Sequence, residues 1–120
     1  MSKLNHRSDT SELEKSKAHL VVQIIEYVTN AVLSKTIIRR ATGNITVSSF
    51  DTGEELAEKT SPFDNYIRII DGKAEIIINN YKYQLKKGVG IIIPAHSTHR
   101  IDANEQFKMI STVIKRGYEN

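Results

Sequence analysis

Cysteine and tryptophan are absent from the 120-residue sequence, and proline occurs only twice. Without cysteine there can be no disulfide framework and no catalytic or zinc-binding thiolate, so any metal would need histidine or carboxylate ligands. The lack of cysteine also fits a reducing compartment. We therefore expect a cytoplasmic protein that is not stabilised by disulfides.

Long apolar runs are also missing from the chain. No segment approaches the roughly 20 apolar residues that a membrane-spanning helix needs, and the polar N-terminus contains no continuous apolar signal segment. We expect no membrane partner. A chain of 120 residues and 13.6 kDa is long enough to bury the core of one domain.

Positive charge is in slight excess but is not concentrated in one region. Lysine and arginine number 17, aspartate and glutamate number 14, and the net charge is +3. Neither a helix-turn-helix pattern nor an aromatic RNA-binding signature accompanies the scattered basic residues. We therefore predict no nucleic-acid partner, whereas the mild basic excess favours small anionic ligands.

The first part of the chain differs in composition from the rest. Residues 1–18 are nearly all polar and bury too little apolar surface to become ordered by themselves. We predict a mobile N-terminal tail over residues 1–18 and a single domain over residues 19–120. A short helix is the alternative for the tail, because Ser11 and Glu14 have the spacing of a capping box.

From Leu20 onward, β-branched residues dominate, and short apolar runs alternate with turn residues, which is typical of an all-β sandwich or barrel. Asp71-Gly72 and Asn79-Asn80 tolerate the positive φ angles of tight turns. They predict two hairpins that share the strand 74–78. The predicted strands are 32–39, 45–50, 66–70, 74–78, 81–85, 90–93, 99–103 and 107–115.

Two predicted strands are apolar on both faces, at residues 76–78 and 91–93. A strand with one solvated face should alternate apolar and polar residues, so both faces of these strands must be covered. In a chain this small, the cover is either a second sheet that wraps round or another subunit. We predict a homodimer packed through one sheet, with segment 21–27 exchanged between subunits or docked across that sheet.

Segment 88–99 is the most informative part of the sequence, because a buried strand runs through Pro94 into a turn that delivers His99. The landmarks Gly88, Pro94 and His99 resemble the second motif of the cupins. The resemblance covers residues 21–115 and points to small single-domain, RmlC-like cupins of unassigned function whose first motif is eroded. It implies a double-stranded β-helix, or jelly-roll barrel.

Metal-binding cupins carry a His-x-His pair and a glutamate in the first motif and another histidine in the second. The resemblance places Lys59 and Ser61 on the two paired histidines and Asn65 on the glutamate, so His99 alone matches a ligand. An ammonium group beside the imidazole disfavours a cation, and we expect no cofactor. If a metal binds, the resemblance implies a divalent iron, manganese, nickel or zinc ion held by His99 with His96.

The same positions would otherwise form a donor-rich pocket for a carboxylate, a phosphate or sugar hydroxyls. Three structural alternatives stay open: His99 hydrogen-bonds a neighbouring carbonyl, Lys59 extends to solvent, and His96 is an exposed turn residue. The polar pocket residues are Lys59, Ser61, Asn65 and His99. The expected apolar walls are Ile67 and Ile69, together with Tyr83, Phe63 or Met109.

The sequence therefore favours a metal-free, dimeric module that binds a small anionic metabolite or sugar and performs no catalysis. The alternative is an enzyme. It would be a metal-dependent oxygenase or isomerase that uses His96 and His99, or a metal-free isomerase with His99 as general base beside Lys59. A third class is a structural protein in which the barrel serves as a dimer scaffold.

Overall fold

The structure of the protein is a computed structural model that describes residues 6–118. These residues form nine strands and one 3₁₀ turn, Val21–Gln23, and contain no α-helix. None of their helical segments is long and apolar enough to cross a membrane. The strands are β1 His6–Asp9, β2 Val32–Arg40, β3 Gly43–Phe50, β4 Glu55–Thr60, β5 Asp64–Ile78, β6 Tyr81–Lys86, β7 Gly90–Ile93, β8 Thr98–Asp102 and β9 Phe107–Ile114.

The nine strands form one continuous sheet in the order β1-β2-β3-β9-β5-β8-β4, with β6 and β7 also paired to β5. The long strand β5 belongs to both halves of this sheet. Its first part pairs with β7 and β9, and its second part pairs with β6 and β8. The sheet therefore curls on itself into a half-barrel, which confirms the all-β, cupin-type fold predicted from the sequence.

The bend in β5 replaces the hairpin that we predicted at Asp71-Gly72, so that prediction is wrong. Gly72 has a φ of +70°, and a Cβ at this position would collide with the backbone carbonyl oxygen of Gln106. A register shift between Ile69 and Asp71 marks a bulge against β9. The positive φ thus lets one strand turn from one half of the barrel to the other.

The second predicted hairpin is confirmed. Asn79 and Asn80 have φ angles of 49° and 71° and join β5 to β6, with Ile78 paired to Tyr81. Asparagine tolerates this left-handed region better than other side chains that carry a Cβ.

The core lies between the two halves of the curled sheet. The rings of Phe50 and Phe107 stack with centroids 4.4 Å apart, and both side chains are fully buried. Around them packs an aliphatic cluster that contains Val32, Ile67, Ile69, Ala74, Ile76, Ile78, Leu85, Ile93, Ile101, Ala103 and Met109. The side of each strand that carries these residues defines the interior face of the barrel.

Residues beyond His6 contact strand β2 in this structure, and the mobility expected for residues 1–18 stays a prediction. Strand β1 pairs in parallel with β2, and Asp9 accepts a 2.9 Å hydrogen bond from the ammonium group of Lys35. Further along, Glu12 forms an ion pair with Arg40. Polar and charged contacts to β2 replace the missing apolar ones. Residues 1–5 lie outside the described residues.

Segment 21–27, called the strap below, lies across the outer face of the sheet in the same chain. The ammonium group of Lys108 donates to the carbonyl of Val22 at 2.7 Å, and the hydroxyl of Ser49 donates to the carbonyl of Glu26 at 2.8 Å. Because Lys108 and Ser49 belong to β9 and β3, these bonds fix the strap over the centre of the sheet.

A third contact holds the end of the strap. The hydroxyl of Tyr27 donates to Asp71 Oδ2 at 2.6 Å. Burial and this hydrogen bond raise the pKa of the Tyr27 hydroxyl, which therefore stays protonated as a donor. Segment 21–27 thus lies across the sheet of its own chain, and its exchange or docking between subunits stays a prediction.

Candidate functional site

Lys59 and His99 are direct cross-strand partners on β4 and β8. His99 is also paired with Ile78 on β5, and Ile78 with Tyr81 on β6. Directly opposed residues point to the same face of a sheet, and Ile78 belongs to the buried core. This row therefore faces the barrel interior, with Lys59 and His99 about 4.8 Å apart in the direction across the strands.

A bulge in β4 is what brings Lys59 to this face. Leu56 is paired with Ile101, and Lys59 with His99, so three steps along β4 match two steps along β8. Regular alternation from Leu56 would turn Glu58 inward and Lys59 outward. The extra residue reverses this assignment and aligns the ammonium group with the imidazole.

His99 is buried, with 5% of its surface exposed. Burial is the main cause that lowers the pKa of its imidazole from the usual 6.5, and the positive charge of Lys59 lowers it further. A hydrogen bond between the ring and the backbone of Ser97 acts in the opposite direction and raises the pKa, in line with the alternative that His99 bonds a neighbouring carbonyl. The ring is therefore neutral at neutral pH.

The Nδ1 atom of His99 is buried and has no hydrogen-bond partner among the described residues. A buried polar atom without a partner costs about 1–3 kcal/mol. Lys59 is exposed and forms no ion pair with any residue in the range 6–118. One exposed cation and one buried, unsatisfied nitrogen thus belong to directly paired residues of neighbouring strands.

Asn65 lies at the start of β5 on the same face as the fully buried Ile67 and Ile69. Its Oδ1 accepts a 2.7 Å hydrogen bond from the hydroxyl of Ser111 on β9. Asn65 and Ile78 lie at about the same number of residues from the bend in β5, Asn65 before it and Ile78 after it. Ile78 is the partner of His99 on β8. The strand geometry therefore places Asn65 and His99 at the same end of the barrel, on opposite walls.

Ser111 was missed by the sequence reasoning, although a signal for it exists. Phe107 and Met109 point inward on β9, and alternation along the strand turns Ser111 to the same face. Ser111 is 8% exposed, so a hydroxyl occupies a position where core packing alone would favour an apolar side chain.

Ser61 and His96 contribute to a turn. The backbone N–H of His96 donates to the carbonyl of Ser61 at 2.7 Å, and the hydroxyl of Ser61 accepts from the backbone of Phe63 at 3.2 Å. His96 has a φ of 67° and is exposed, whereas His99 is buried. The structure thus brings Lys59 and His99 together and places these two residues in the loops beside them.

The predicted apolar walls separate into two groups. Ile67, Ile69 and Met109 lie in the core, and Tyr83 is paired with the core residue Ile76 on the interior face while 40% of its surface remains exposed. Phe63 packs instead near the ring of Tyr118, with centroids 6.2 Å apart. The interior wall therefore includes the first four residues.

The donor set does not fit the metal site of the cupins. Within residues 6–118, no three histidine, aspartate or glutamate side chains are grouped so that they could hold a metal ion. The imidazole at the position of the last ligand faces an ammonium group, which repels a cation. Serine and asparagine are weak neutral ligands for a transition metal, so this set of residues supports no metal-dependent step.

The curled sheet, the strand order and the histidine on β8 define a cupin barrel, and the chain belongs to the cupin superfamily. It is similar to a conserved protein of unknown function from Streptococcus pyogenes, with 32% identity, a TM-score of 0.84, and coverage of 91% of this chain and 96% of that one. A cupin superfamily protein from Desulfitobacterium hafniense is 26% identical over 88% of this chain and 97% of that one, with a TM-score of 0.82.

More distant structures share the fold alone. Salicylate 1,2-dioxygenase from Pseudoaminobacter salicylatoxidans is 15% identical over 72% of this chain and 27% of that one, with a TM-score of 0.66. No family model matches the sequence, and no curated protein matches it either. The family is therefore shown by structure, and the activity has to be argued from the site.

Proposed function

We propose that this cupin binds a small anionic molecule inside its barrel, between Lys59 and His99, without a metal. The observation that carries the proposal is the buried imidazole whose Nδ1 has no partner among the described residues, directly opposite a lysine. A ligand oxygen placed there would offset the positive charge of Lys59 and satisfy the free nitrogen of His99.

The charge of the site favours an anion with a single charge. His99 is neutral near pH 7 because burial and Lys59 lower its pKa, so Lys59 supplies the positive charge of this row. A carboxylate matches one ammonium group and can also accept a hydrogen bond from the N–H group of a neutral imidazole.

Isothermal titration calorimetry with a panel of organic acids and sugar acids tests the proposal. We expect at least one acid to bind, and its affinity to fall in Lys59→Gln. Lys82→Gln is the matched control, because Lys82 is exposed and is paired with Ile77 on the outer face of β5. If no acid binds, or if both variants lose the same affinity, the site does not work as proposed.

A metal-free isomerase is the second candidate, and the lowered pKa of His99 favours it. A neutral imidazole can accept a proton near pH 7, and the ammonium group of Lys59 could stabilise the anion that forms. The proton donor would come from Tyr83, one row further along the interior face. Turnover of a bound acid that is abolished in His99→Gln, with binding retained, would favour the enzyme over the binding module.

We also propose that the protein is a cytoplasmic homodimer. The absence of cysteine supports the location. Tyr66 and Ile92 are paired on the outer face of β5 and β7 and are 46% and 60% exposed, which supports a subunit contact there. Light scattering should give the mass of a dimer for the native chain and of a monomer for Ile92→Lys.

A further inference from the structure

Hydroxyl groups line the interior of the barrel on the wall formed by β2, β3 and β9. Two rows of strand pairing place them there. The first row joins Ser34, Ser48, Met109 and Ile69, and the second joins Thr36, Thr46, Ser111 and Ile67. Each row includes at least one core residue, Ile69 in the first row and Ile67 in the second. Because directly paired residues point to the same face, all members of both rows face the interior. We call the five side chains Ser34, Thr36, Thr46, Ser48 and Ser111 the hydroxyl wall.

The alternation of β3 is the reverse of what a dry core requires. Thr46 and Ser48 point inward, whereas Val47 points outward and is fully buried. Because the strap lies over the outer face, the apolar side of this strand is the side that the strap covers. Barrel interiors are normally filled by apolar side chains, so the polar side needs another explanation.

The hydroxyl wall is preorganised. Ser34 and Ser48 share a hydrogen bond of 2.9 Å, and Ser111 donates to Asn65 at 2.7 Å. A hydroxyl has one donor and two acceptor positions, and an asparagine has a carbonyl oxygen and two N–H donors. These bonds fix the side chains and leave each of them further capacity for a ligand.

From this geometry we propose that the ligand is a polyhydroxylated monocarboxylate, that is, a sugar acid. Its carboxylate contacts Lys59 and His99, and its hydroxyl groups contact the opposite hydroxyl wall and Asn65. The inference rests on the proposed function, because it assumes that the anion lies at Lys59.

The composition of the two walls argues against other anions. A dianionic phosphate favours arginine or several cations, and Lys59 is the one cation among the side chains that we assign to the ligand. An aliphatic carboxylate would bury its chain against hydroxyl groups and leave their remaining donor and acceptor positions without hydrogen bonds, which is unfavourable. A neutral sugar would leave the charge of Lys59 without a partner.

Calorimetry with three probes tests this choice of ligand. Gluconate has a carboxylate and five hydroxyl groups, hexanoate has the same carbon number and charge without hydroxyls, and glucose 6-phosphate has hydroxyls and a second negative charge. We expect gluconate to bind at least about 10-fold more tightly than hexanoate, since each hydroxyl contact is worth a few-fold in affinity. Glucose 6-phosphate should bind more weakly than gluconate.

Thr46→Val tests the hydroxyl wall itself, because valine keeps the shape and removes the hydroxyl. We expect gluconate affinity to fall about 3- to 10-fold, with no loss for hexanoate. Thr112→Val is the matched control, since Thr112 lies next to Ser111 on the outer face, opposite Tyr66. If Thr46→Val is misfolded by circular dichroism, Ser111→Ala takes its place with the same expectation.

The outcomes separate this inference from the proposed function. If hexanoate and gluconate bind equally well, both depend on Lys59, and Thr46→Val changes nothing, the hydroxyl wall is structural and the inference is wrong while the anion site stands. Tighter binding of glucose 6-phosphate would also overturn the choice of a monocarboxylate. If neither these probes nor any acid of the panel binds, the proposed function fails, and the inference fails with it.

Discussion

Replacement of Lys108 by methionine should release the strap from the sheet. The side chain of Lys108 is 9% exposed, and its ammonium group donates to the carbonyl of Val22 at 2.7 Å and lies 4.9 Å from the ring centre of Tyr27. Methionine preserves most of the apolar stem and removes both polar interactions, so the substitution isolates the contribution of the charge.

The two interactions set the size of the effect. A hydrogen bond from a charged donor contributes about 1.5–3 kcal/mol, and a partly exposed cation–π contact about 0.5–1 kcal/mol. The carbonyl of Val22 regains water once the strap loosens, which returns part of this sum. We therefore expect the free energy of strap docking to fall by about 2–3 kcal/mol, or about 30- to 150-fold in the opening equilibrium.

Hydrogen exchange measures this opening directly. The amide of Gln23 donates to the carbonyl of Leu20, directly before the strap, and the amide of Ile24 donates to the carbonyl of Val21. The protection of both amides depends on the strap being docked. Their exchange should accelerate by the factor above in Lys108→Met. Lys73→Met is the control, because Lys73 is exposed and is paired with Lys86 on the outer face. Acceleration of less than about 3-fold would show that Lys108 does not hold the strap.

The remaining predictions concern His99 and the barrel core. By NMR titration, the pKa of His99 should lie below 6.5 and should rise in Lys59→Gln, because the second of its two lowering causes is removed. The unfolded chain then binds more protons than the folded one below pH 6.5, so stability to urea should decrease as the pH falls through this range, and the decrease should be smaller in His99→Gln. Gly72→Ala should lower the midpoint of thermal unfolding, because the added Cβ collides with the Gln106 carbonyl. Phe107→Ala should cost about 3–5 kcal/mol in urea unfolding, the usual range for a buried phenylalanine.

Much of the fold could be predicted from the sequence because its turns and apolar runs are local signals. Segment 88–99 indicated the barrel, and Asn79-Asn80 indicated a hairpin that the structure contains. Strand β4 gave no such signal, because Glu55–Thr60 has one large apolar residue and mostly exposed side chains. It is a strand because of its pairing with β8, and a long-range partner leaves little trace in local composition.

The candidate site was predictable to a smaller extent. The family resemblance brought Lys59 and His99 to attention, but their alignment depends on a bulge after Leu56 that periodicity does not reveal. The same limit explains the wrong hairpin at Asp71-Gly72. A glycine with positive φ serves a turn or a bulge equally well, and only the approach of Gln106 distinguishes the two.

The strap is the reason why the hydroxyl wall escaped notice in the sequence. An alternating strand is normally read with its apolar residues toward the core, and on β3 that rule turns Val47 inward and Thr46 and Ser48 outward to solvent. The strap reverses the rule, because it covers the outside of the sheet, where Val47 is fully buried. The inward face is then free to carry hydroxyl groups without loss of the apolar contacts that hold β3 in place. A covered outer face is thus what permits a polar interior in so small a barrel, and strap and ligand site depend on opposite faces of one strand.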